Sequence, residues 1–400
     1  MLYYSFIIQY IFLIIILFLT IFYLSIKLLY PFWNLQPVLH PYDLFRHIYL
    51  SLGAEPFIIL SKNLLISYKF IDLININTFN YSKITDSQKK EVISLLRRKY
   101  IYSSDILFDI DTFFLDNLIN IGHNQPSFVS IAKGGCCFSY PIIFTIPHLN
   151  ISKKAYFIDL FTVDTVQPQI LFQTHEYNQR LTNSLNGGNI SFFKKEVIGY
   201  LGISPFLQTY TYLYPILQKR FYLLKNKLLP IDIQLIIIDK KGNNFNYIID
   251  FFKLNIINTI TIDLSSILNL IKINYLFVFI MIQKEQILAI YFFRDTKLLY
   301  EQYSSVDNNS KCIELLNSYN NINHPNHDLF YNGFIEALRL LSTKINLDFR
   351  LIQIPDISLG NSIILNKWNN KNTYILKTFL AYYFFNFCWK CNKDNILIIV

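Results

Sequence analysis

An uncharged run at the amino terminus constrains this chain more than any other feature. From Leu2 to Ile26 the sequence contains no Asp, Glu, Lys or Arg, and about 20 such residues suffice to cross the hydrocarbon of a bilayer as a helix. Lipid requires backbone hydrogen bonds to close within the segment, which favours a helix even where Ile and Phe are frequent. The run therefore predicts a transmembrane anchor over residues 1–28, followed by a separate body.

Two other structures share part of this pattern. A cleaved signal peptide has a charged start and small residues at its cleavage site, and the stretch FYLSIKLLYPFW shows neither clearly. A buried core helix would carry its apolar residues as a stripe, whereas here they cover every face. Lys27, His40, Arg46 and His47 follow the run, so the positive-inside rule predicts that the body faces the cytoplasm.

The charge and composition of the body exclude some classes of protein. Hydrophobic residues make up 52% and aromatic residues 17% of the chain, which is incompatible with a disordered tail. The net charge is +9, but the basic residues are spread along the chain instead of forming the dense stripe of a nucleic-acid binder. We therefore predict no nucleic-acid partner, and a position near an anionic leaflet accounts for the charge.

The five cysteines predict neither disulfides nor a metal site. An odd number that includes the adjacent pair Cys136 and Cys137 is a poor disulfide framework, so we expect reduced thiols in a reducing compartment. Cys388 and Cys391 have the spacing of half a zinc site or a redox motif, but no second pair completes it. We predict no metal.

Apolar periodicity along the body alternates between the spacing of helices and that of strands. This order of elements predicts a mixed α/β fold, and its looser recurrence after residue 230 suggests an internal duplication. The predicted helices cover residues 85–101, 111–121, 169–181 and 328–344. The predicted strands cover residues 155–163, 274–282, 287–294, 350–354 and 395–400, with hairpins turning at Gly134-Gly135 and at Lys241–Asn243 and with breaks at Pro141 and Pro147.

Five stretches in order resemble one family, the glycylpeptide N-tetradecanoyltransferases or N-myristoyltransferases. They span residues 30 to 400, no one of them is decisive, and the divergence and AT-rich composition look like a viral branch. The stretches are YPFWNLQPV, LLRRKYIYSSDILFDID, IPHLNISKKAYFIDLFTVD, IIIDKKGNNFNYIIDFFKL and YYFFNFCWKCNKDNILIIV.

The resemblance implies a fold and an activity. The fold would be two acetyltransferase-like halves that form one composite α/β domain, with an acyl-CoA-binding half over residues 29–215 and a peptide-binding half over residues 216–400. The activity would be transfer of a myristoyl group from acyl-CoA to the N-terminal glycine amine of a peptide or protein. Myristoyl-CoA would be a co-substrate, and no cofactor would be bound permanently.

The segment after the anchor would contact the co-substrate. The resemblance places Tyr30, Phe32 and Trp33 over the nucleotide and pantetheine end of acyl-CoA, with Val163 also at that site, and flat aromatic rings suit stacking on adenine. We expect Pro31 and Pro37 to hold this segment extended. The alternative is an aromatic belt at the membrane interface, which does not require the Gln-Pro-Val that comes next.

The catalytic groups are likewise implied by the resemblance. The backbone amides of Leu160 and Phe161 would stabilise the oxyanion of the reaction, although a plain core strand would have the same sequence. The terminal carboxylate of Val400 would be the base that deprotonates the glycine amine. Burial in an apolar strand makes a carboxylate more basic, although any core strand at a chain end would look alike.

The peptide side shows both matches and departures. Tyr100, Phe108 and Ile110 would line the peptide channel with Asp105 on its loop, and Tyr382 or Tyr383 would close it. The loop after Val163 is shorter than the family's, and it has no Lys or Arg before His175; Lys194 and Lys195 are our candidates to bind the CoA phosphates instead. Two alternatives stay open: an inactive relative that binds lipid or peptide, and an acyltransferase with another donor or amine acceptor.

Overall fold

The computed structural model describes most of the chain. The described residues are 2–60, 68–101, 103, 105–119, 125–183, 190–196, 202–216, 229–254, 256–301, 310–321, 326–345, 347–370 and 372–400. The helices are α1 (Leu2–Leu29), α2 (Pro31–Asn34), α3 (Leu44–Ser51), α4 (Asp86–Lys99), α5 (Thr112–Ile119), α6 (Pro168–Asn183), α7 (Phe245–Leu254), α8 (Leu264–Lys272), α9 (His327–Thr343) and α10 (Leu359–Asn369).

The strands of the first half are β1 (Phe57–Ile58), β2 (Ile76–Asn80), β3 (Ile106–Phe108), β4 (Phe128–Ala132), β5 (Gly135–Ile146), β6 (Ile151–Val163), β7 (Ser191–Lys195) and β8 (Leu207–Pro215). Those of the second half are β9 (Ile233–Ile237), β10 (Asn258–Thr261), β11 (Leu276–Gln283), β12 (Gln286–Tyr300), β13 (Ser310–Asn320), β14 (Leu351–Pro355), β15 (Leu376–Phe385), β16 (Phe387–Cys388) and β17 (Ile396–Ile399). The alternation of helices and strands confirms the mixed α/β class.

One large sheet joins the two halves. Its strands run in the order β17-β10-β5-β6-β7-β15-β8-β14-β13-β12-β11-β9. Strand β15, from the second half, pairs with β7, and β8, from the first half, pairs with β14. Because each half lends a strand to the other, the halves form one composite domain rather than two separable ones.

The same arrangement of three strands occurs in each half. Strands β5 and β6 are antiparallel and β6 and β7 are parallel, and β12, β13 and β14 repeat this pattern. In each half the parallel pair is joined by only three residue pairs, which end at Ile158–Phe193 and at Glu314–Gln353. We call the gap beyond each last pair the N-terminal wedge and the C-terminal wedge.

A bulge lies at the mouth of each wedge. Across β5 and β6, Cys136 pairs with Thr162 and Phe138 with Asp159, so β6 carries one extra residue at 160–161. Across β12 and β13, the pairing steps over Leu316 in the same way. An extra residue bends its strand away from its neighbour, which explains why the parallel pairs separate there.

Several local predictions are confirmed. Helix α4 starts with a capping box in which Thr85 and Gln88 bond each other's backbone N–H, and Asp111 caps α5 through the N–H of Phe114 at 2.6 Å. The hairpin at Gly134 joins β4 to β5, and β6 is central, between β5 and β7. The predicted helices at 169–181 and 328–344 are α6 and α9.

Two local predictions were wrong. The segment after Gly242 is helix α7 rather than the second strand of a hairpin, because Ile248 and Phe251 recur at helical spacing and are both buried. Strand β5 also continues through Pro141. Pro141 lies between the positions that pair with β4 and with β10, so its missing N–H falls at a gap in the hydrogen-bond ladder on that side.

Helix α1 extends away from the body. Residues 7–24 are all exposed, and Ile7–Leu29 is long and apolar enough to cross a membrane, with a mean hydropathy of 2.7. Among the described residues, its contacts with the body are in its last turns, where Ile26 is buried and the ring of Tyr23 lies 4.9 Å from that of Tyr42. Its orientation across a membrane stays a prediction.

Candidate active site

Leu160 and Phe161 lie on the bulge of β6, at the mouth of the N-terminal wedge. The φ angle of Leu160 is +47°, a left-handed conformation that is uncommon for a residue other than glycine. The Leu160 N–H donates to Oδ1 of Asp159 at 2.8 Å. The bulge therefore turns this backbone out of the regular ladder, and its role as an oxyanion site stays a prediction.

Val400 lies inside the fold beside an arginine. The strand that precedes it, β17, is buried and pairs with β10, and Asn317 Nδ2 donates to the carbonyl of Ile398 at 2.9 Å. Arg294 Nη1 donates to the Val400 oxygen at 3.0 Å, and Arg294 Nε donates to Glu314 at 3.0 Å. The Val400 oxygen is thus held by a guanidinium that is itself paired with Glu314.

Two ion pairs surround this point. Burial opposes the charge on Arg294, but Glu314 outweighs it and raises the pKa of the guanidinium above its ordinary value. Lys194 Nζ lies 2.8 Å from Glu196 Oε1, and this pairing raises the pKa of Lys194 despite burial. The same ammonium lowers the pKa of Glu196. Each cation is therefore matched by its own acid.

Tyrosine side chains connect Val400 to the bulge. Two small internal cavities share Arg294 and Val400 in their walls; Tyr140 and Tyr275 line one, and Tyr382 lines the other together with Lys194. Tyr140 Oη donates to Asp159 Oδ2 at 3.4 Å. Burial raises the pKa of Tyr275 to about 12, so this side chain is neutral near pH 7. Tyr140 thus contacts the residue before the bulge and lines a cavity that Val400 also lines.

The predicted peptide-side residues partly gather in this region. Tyr100 stacks on Phe108 with ring centroids 4.7 Å apart, and burial raises the pKa of its hydroxyl, with Asp159 as the next contribution. Phe108 and Ile110 are buried in the main core, while Asp105 is half-buried and its carbonyl accepts the N–H of Glu301 at 2.9 Å. Tyr102 and Ser104 of the same loop lie outside the described residues. The peptide-binding roles stay predictions.

The aromatic segment after α1 packs against the body. Phe32 is buried, and its ring lies 5.0 Å from that of Phe70. Trp33 stacks on Phe193 of β7 at 5.8 Å. Gly202 has a φ of +76° and packs under the ring of Tyr30, where a Cβ would lie 2.4 Å from the ring. Stacking of these rings on a nucleotide stays a prediction.

This segment is not extended as expected. Pro31–Asn34 forms a helical turn, α2, with Pro31 at its first position, where the fixed φ of proline is suited to a helix and no N–H is needed. Beyond the turn, the Pro37 carbonyl accepts the N–H of Asn386 at 2.6 Å, and the Leu39 carbonyl accepts that of Ser204 at 2.8 Å. Hydrogen bonds to distant loops, rather than proline alone, fix its path.

A lysine from the end of helix α4 pairs with the loop after Val163. Lys99, at the end of α4, lies 3.0 Å from Asp164 Oδ1, and the loop packs over the Gly134 turn through the Thr165 hydroxyl, which donates to the carbonyl of Lys133 at 2.8 Å. Lys194 is not at this loop, because it lies in the cavity beside Val400. Binding of the CoA phosphates by Lys194 and Lys195 stays a prediction.

Sequence reasoning missed the polar groups around Val400. Arg294, Glu314 and Asp159 each follow an apolar run within their strand, so each appeared to be an isolated charge. The signal was present: a charge within a strand that is buried on both faces needs a partner. What the sequence did not show was that β12, β13 and β6 bring these charges to one point.

Known structures share this fold across nearly the whole chain. The Saccharomyces cerevisiae N-myristoyltransferase with bound myristoyl-CoA superimposes with a TM-score of 0.64 at 13% identity, covering 92% of this chain and 96% of that one. A second structure of that enzyme with myristoyl-CoA gives 0.64 at 14% identity, with 91% and 90% covered. No protein-family model and no curated protein matches this sequence. The chain has the N-myristoyltransferase fold.

Proposed function

We propose that this protein transfers a fatty acyl group, myristoyl in the first instance, from acyl-CoA to the N-terminal glycine amine of a peptide or protein. The observation that carries the proposal is one buried polar cavity lined by Arg294, Tyr382 and Val400, in a chain with this fold. Asp159, next to the β6 bulge, lies close enough for its charge to act on Arg294. Acyl-CoA would be a co-substrate that enters and leaves, not a resident group. Glycine-starting peptides would be the acceptors.

The reaction needs a neutral amine and a stabilised oxyanion. The amine nitrogen attacks the thioester carbonyl carbon, the carbonyl oxygen becomes negative, and the C–S bond then breaks to release the CoA thiolate. We assign the oxyanion to the backbone amides of Leu160 and Phe161, where preorganised donors contribute most. Since the Leu160 N–H bonds Asp159 in the free chain, the oxyanion would have to displace that carboxylate.

The amine must also lose a proton, because its reference pKa of about 7.7–8.0 leaves it mostly charged at neutral pH. In a chain that ends at Val400, the terminal carboxylate lies in the cavity wall and accepts a hydrogen bond from Arg294. We assign the base to this carboxylate. Asp159 is the second carboxylate of the centre and the alternative base.

Labelled acyl transfer from CoA to glycine-starting peptides tests the proposal. Extending the chain beyond Val400 removes the carboxylate from the cavity, and we expect the transfer rate to fall about a hundredfold or more, since a positioned base contributes roughly 10²–10⁴-fold. Asp159→Asn should keep the rate within about tenfold, because it is not the base in this assignment.

Three results would change the assignment. An extended chain with an unchanged rate would remove Val400 from the mechanism. A large loss in Asp159→Asn with a tolerated extension would make Asp159 the base. An absence of transfer with every acyl donor, together with retained binding of acyl-CoA or peptide, would favour the inactive binder.

We further propose that α1 anchors the protein in a membrane and that the body faces the cytoplasm. Residues 7–22 are all exposed, so deleting residues 1–22 should yield a soluble body with an unchanged circular dichroism spectrum and a loss of unfolding free energy below about 0.5 kcal/mol. The deletion stops before Tyr23 because that ring contacts Tyr42. An unfolded product would show that the anchor and the body are not separate.

A further inference from the structure

Helix α3 has an apolar face that points away from the body. Phe45 and Leu52 are seven residues apart, which is two helical turns, so they lie on the same side. Together with the side chains between them they form what we call the α3 face. The exposed fractions on this face are 46% for Leu44, 90% for Phe45, 58% for Ile48, 53% for Tyr49 and 82% for Leu52.

The opposite side of α3 is fixed to the body. Leu50 is buried, and His47 Nε2 lies 3.0 Å from the His40 carbonyl and 3.2 Å from Ser204 Oγ. Lys390 Nζ donates to Ser51 Oγ at 2.9 Å at the end of the helix. These contacts prevent the helix from rotating its apolar side inward, so the α3 face needs an apolar neighbour outside the body.

The end of the predicted membrane span supplies that neighbour. Tyr42, two residues before α3, contacts Tyr23 of α1 with ring centroids 4.9 Å apart. Tyr23 comes 21 residues after the start of α1 at Leu2, roughly 32 Å along the axis at 1.5 Å per residue, and the hydrocarbon core of a bilayer is roughly 30 Å thick. The headgroup layer on each side of a bilayer is about 5–8 Å thick. The start of α3 therefore lies at headgroup depth whenever α1 spans a bilayer.

We propose that α3 lies in the headgroup region of the same bilayer that α1 crosses, with the α3 face inserted toward the acyl chains. Helices with an apolar face bury it to this depth at membrane surfaces. Tyr23, over whose ring the Lys27 ammonium lies at 4.3 Å, would sit at the same level, where aromatic and basic residues are enriched.

This second contact would fix how the body is oriented on the membrane. Attachment through α1 alone would let the body rotate about the end of that helix. Attachment through both α1 and α3 would hold the body at both ends of the segment that contains Trp33. The inference rests on the membrane insertion of α1 and not on the transferase activity. Acyl transfer measured on the same preparations separates the two.

The test uses the full chain in nanodiscs of phosphatidylcholine and phosphatidylserine. A nitroxide is attached to a single introduced cysteine in Ile14→Cys, Phe45→Cys, Leu52→Cys or Lys241→Cys. Cys391→Ser removes the one native cysteine that is not fully buried. Collision rates with oxygen, which concentrates in lipid, and with a water-soluble nickel chelate report the surroundings of each label.

We expect the oxygen-to-nickel ratio at positions 45 and 52 to resemble that at position 14 and to exceed that at exposed position 241 by about tenfold. Ratios at 45 and 52 equal to that at 241, with 14 in lipid, would overturn the inference and leave the anchor intact. Shielding of 45 and 52 from both reagents would also overturn it, because another protein surface, such as a second copy, would then cover the α3 face. A water-exposed position 14 would overturn both.

Discussion

The two wedges begin alike and end differently. In each, a parallel pair of strands separates just beyond its third residue pair, next to a bulge. In the C-terminal wedge, α10 comes after β14 and inserts its first turn. In the N-terminal wedge, Glu196 and the irregular residues 202–206 lead from β7 to β8, with residues 197–201 outside the described part of the chain.

The insertion of α10 closes the C-terminal wedge with polar contacts. Asn361 Nδ2 donates to the carbonyls of Leu315 and Pro355, at 3.2 and 3.0 Å, and so connects β13 to β14. Ser318 Oγ bonds Asn361 Oδ1 at 2.7 Å, and Gly360 allows the close approach because a Cβ there would lie 2.4 Å from the Ser318 carbonyl.

The N-terminal wedge is bordered by the aromatic segment after α1, which packs on β7 through Trp33 and Phe193. In the part of the chain that the structure describes, aromatic packing borders the bulge at Leu160, in place of a helix with contacts like those of Asn361. The difference between the wedges shows that the bulge only separates the strands. In the C-terminal wedge, the helix that comes after the parallel strand closes the gap.

We expect the largest loss of unfolding free energy when the Asn361 hydrogen bonds that close the C-terminal wedge are removed. Asn361→Ala leaves carbonyls of β13 and β14 without their donor in a buried site, and each unsatisfied group costs about 1–3 kcal/mol. We expect the free energy of unfolding to fall by about 3 kcal/mol in urea titrations of the full chain in detergent micelles.

The exposed Asn366, on the same helix, provides the matched control. Asn366→Ala should change the free energy of unfolding by less than about 0.5 kcal/mol. Equal losses in the two variants would mean that Asn361 does not seal the C-terminal wedge.

The next prediction concerns helix α6, which packs on the first half, and the loss of stability at low pH. His175 of α6 is buried between Ser130 Oγ at 2.9 Å and Ser139 Oγ at 2.8 Å, and burial lowers its pKa to about 3. Because its unfolded pKa is about 6.5, the unfolded state binds the proton first as the pH falls, and stability is lost below pH 6.5. We expect a loss of about 2.5 kcal/mol between pH 6 and 4 from this residue.

Unfolding titrations at several pH values check this slope. His175→Gln should remove it, whatever the variant does to stability at pH 7, whereas His148→Gln, at an exposed position, should retain it. A slope that survives in His175→Gln would show that the acid sensitivity of the first half arises elsewhere.

The smallest effect concerns the turn beside the N-terminal wedge. Gly134 has a φ of +75°, and an added Cβ would lie 2.4 Å from Thr165 Oγ1 in the loop after β6. Gly134→Ala should cost about 1–2 kcal/mol of unfolding free energy through backbone strain, plus displacement of that loop.

Gly53 provides the control, since its φ is +81° but nothing lies within 4 Å of an added Cβ. Gly53→Ala therefore measures the strain alone, and the difference between the two variants measures the contact with Thr165. If both variants lose the same free energy, the loop is not held by the turn.

Local pattern was enough to predict much of this fold. The uncharged run gave α1, the capping residues Thr85 and Asp111 gave the starts of α4 and α5, and Gly134 gave the hairpin. These features depend on neighbours within a few residues, so the sequence contains the whole cause. Prediction from local pattern failed at the helix after Gly242, where a short apolar run satisfies both helix and strand spacing.

The sequence by itself determined an apolar amino-terminal helix, an α/β body and a chain whose last residues form an apolar strand. Only the tertiary structure decided that β15 and β8 cross between the halves, that Arg294 and Glu314 meet Val400, and that Asn361 of α10 bonds to β13 in the C-terminal wedge. The reason is physical: these contacts join residues tens to hundreds of positions apart, and long-range strand order fixes them where no local pattern does.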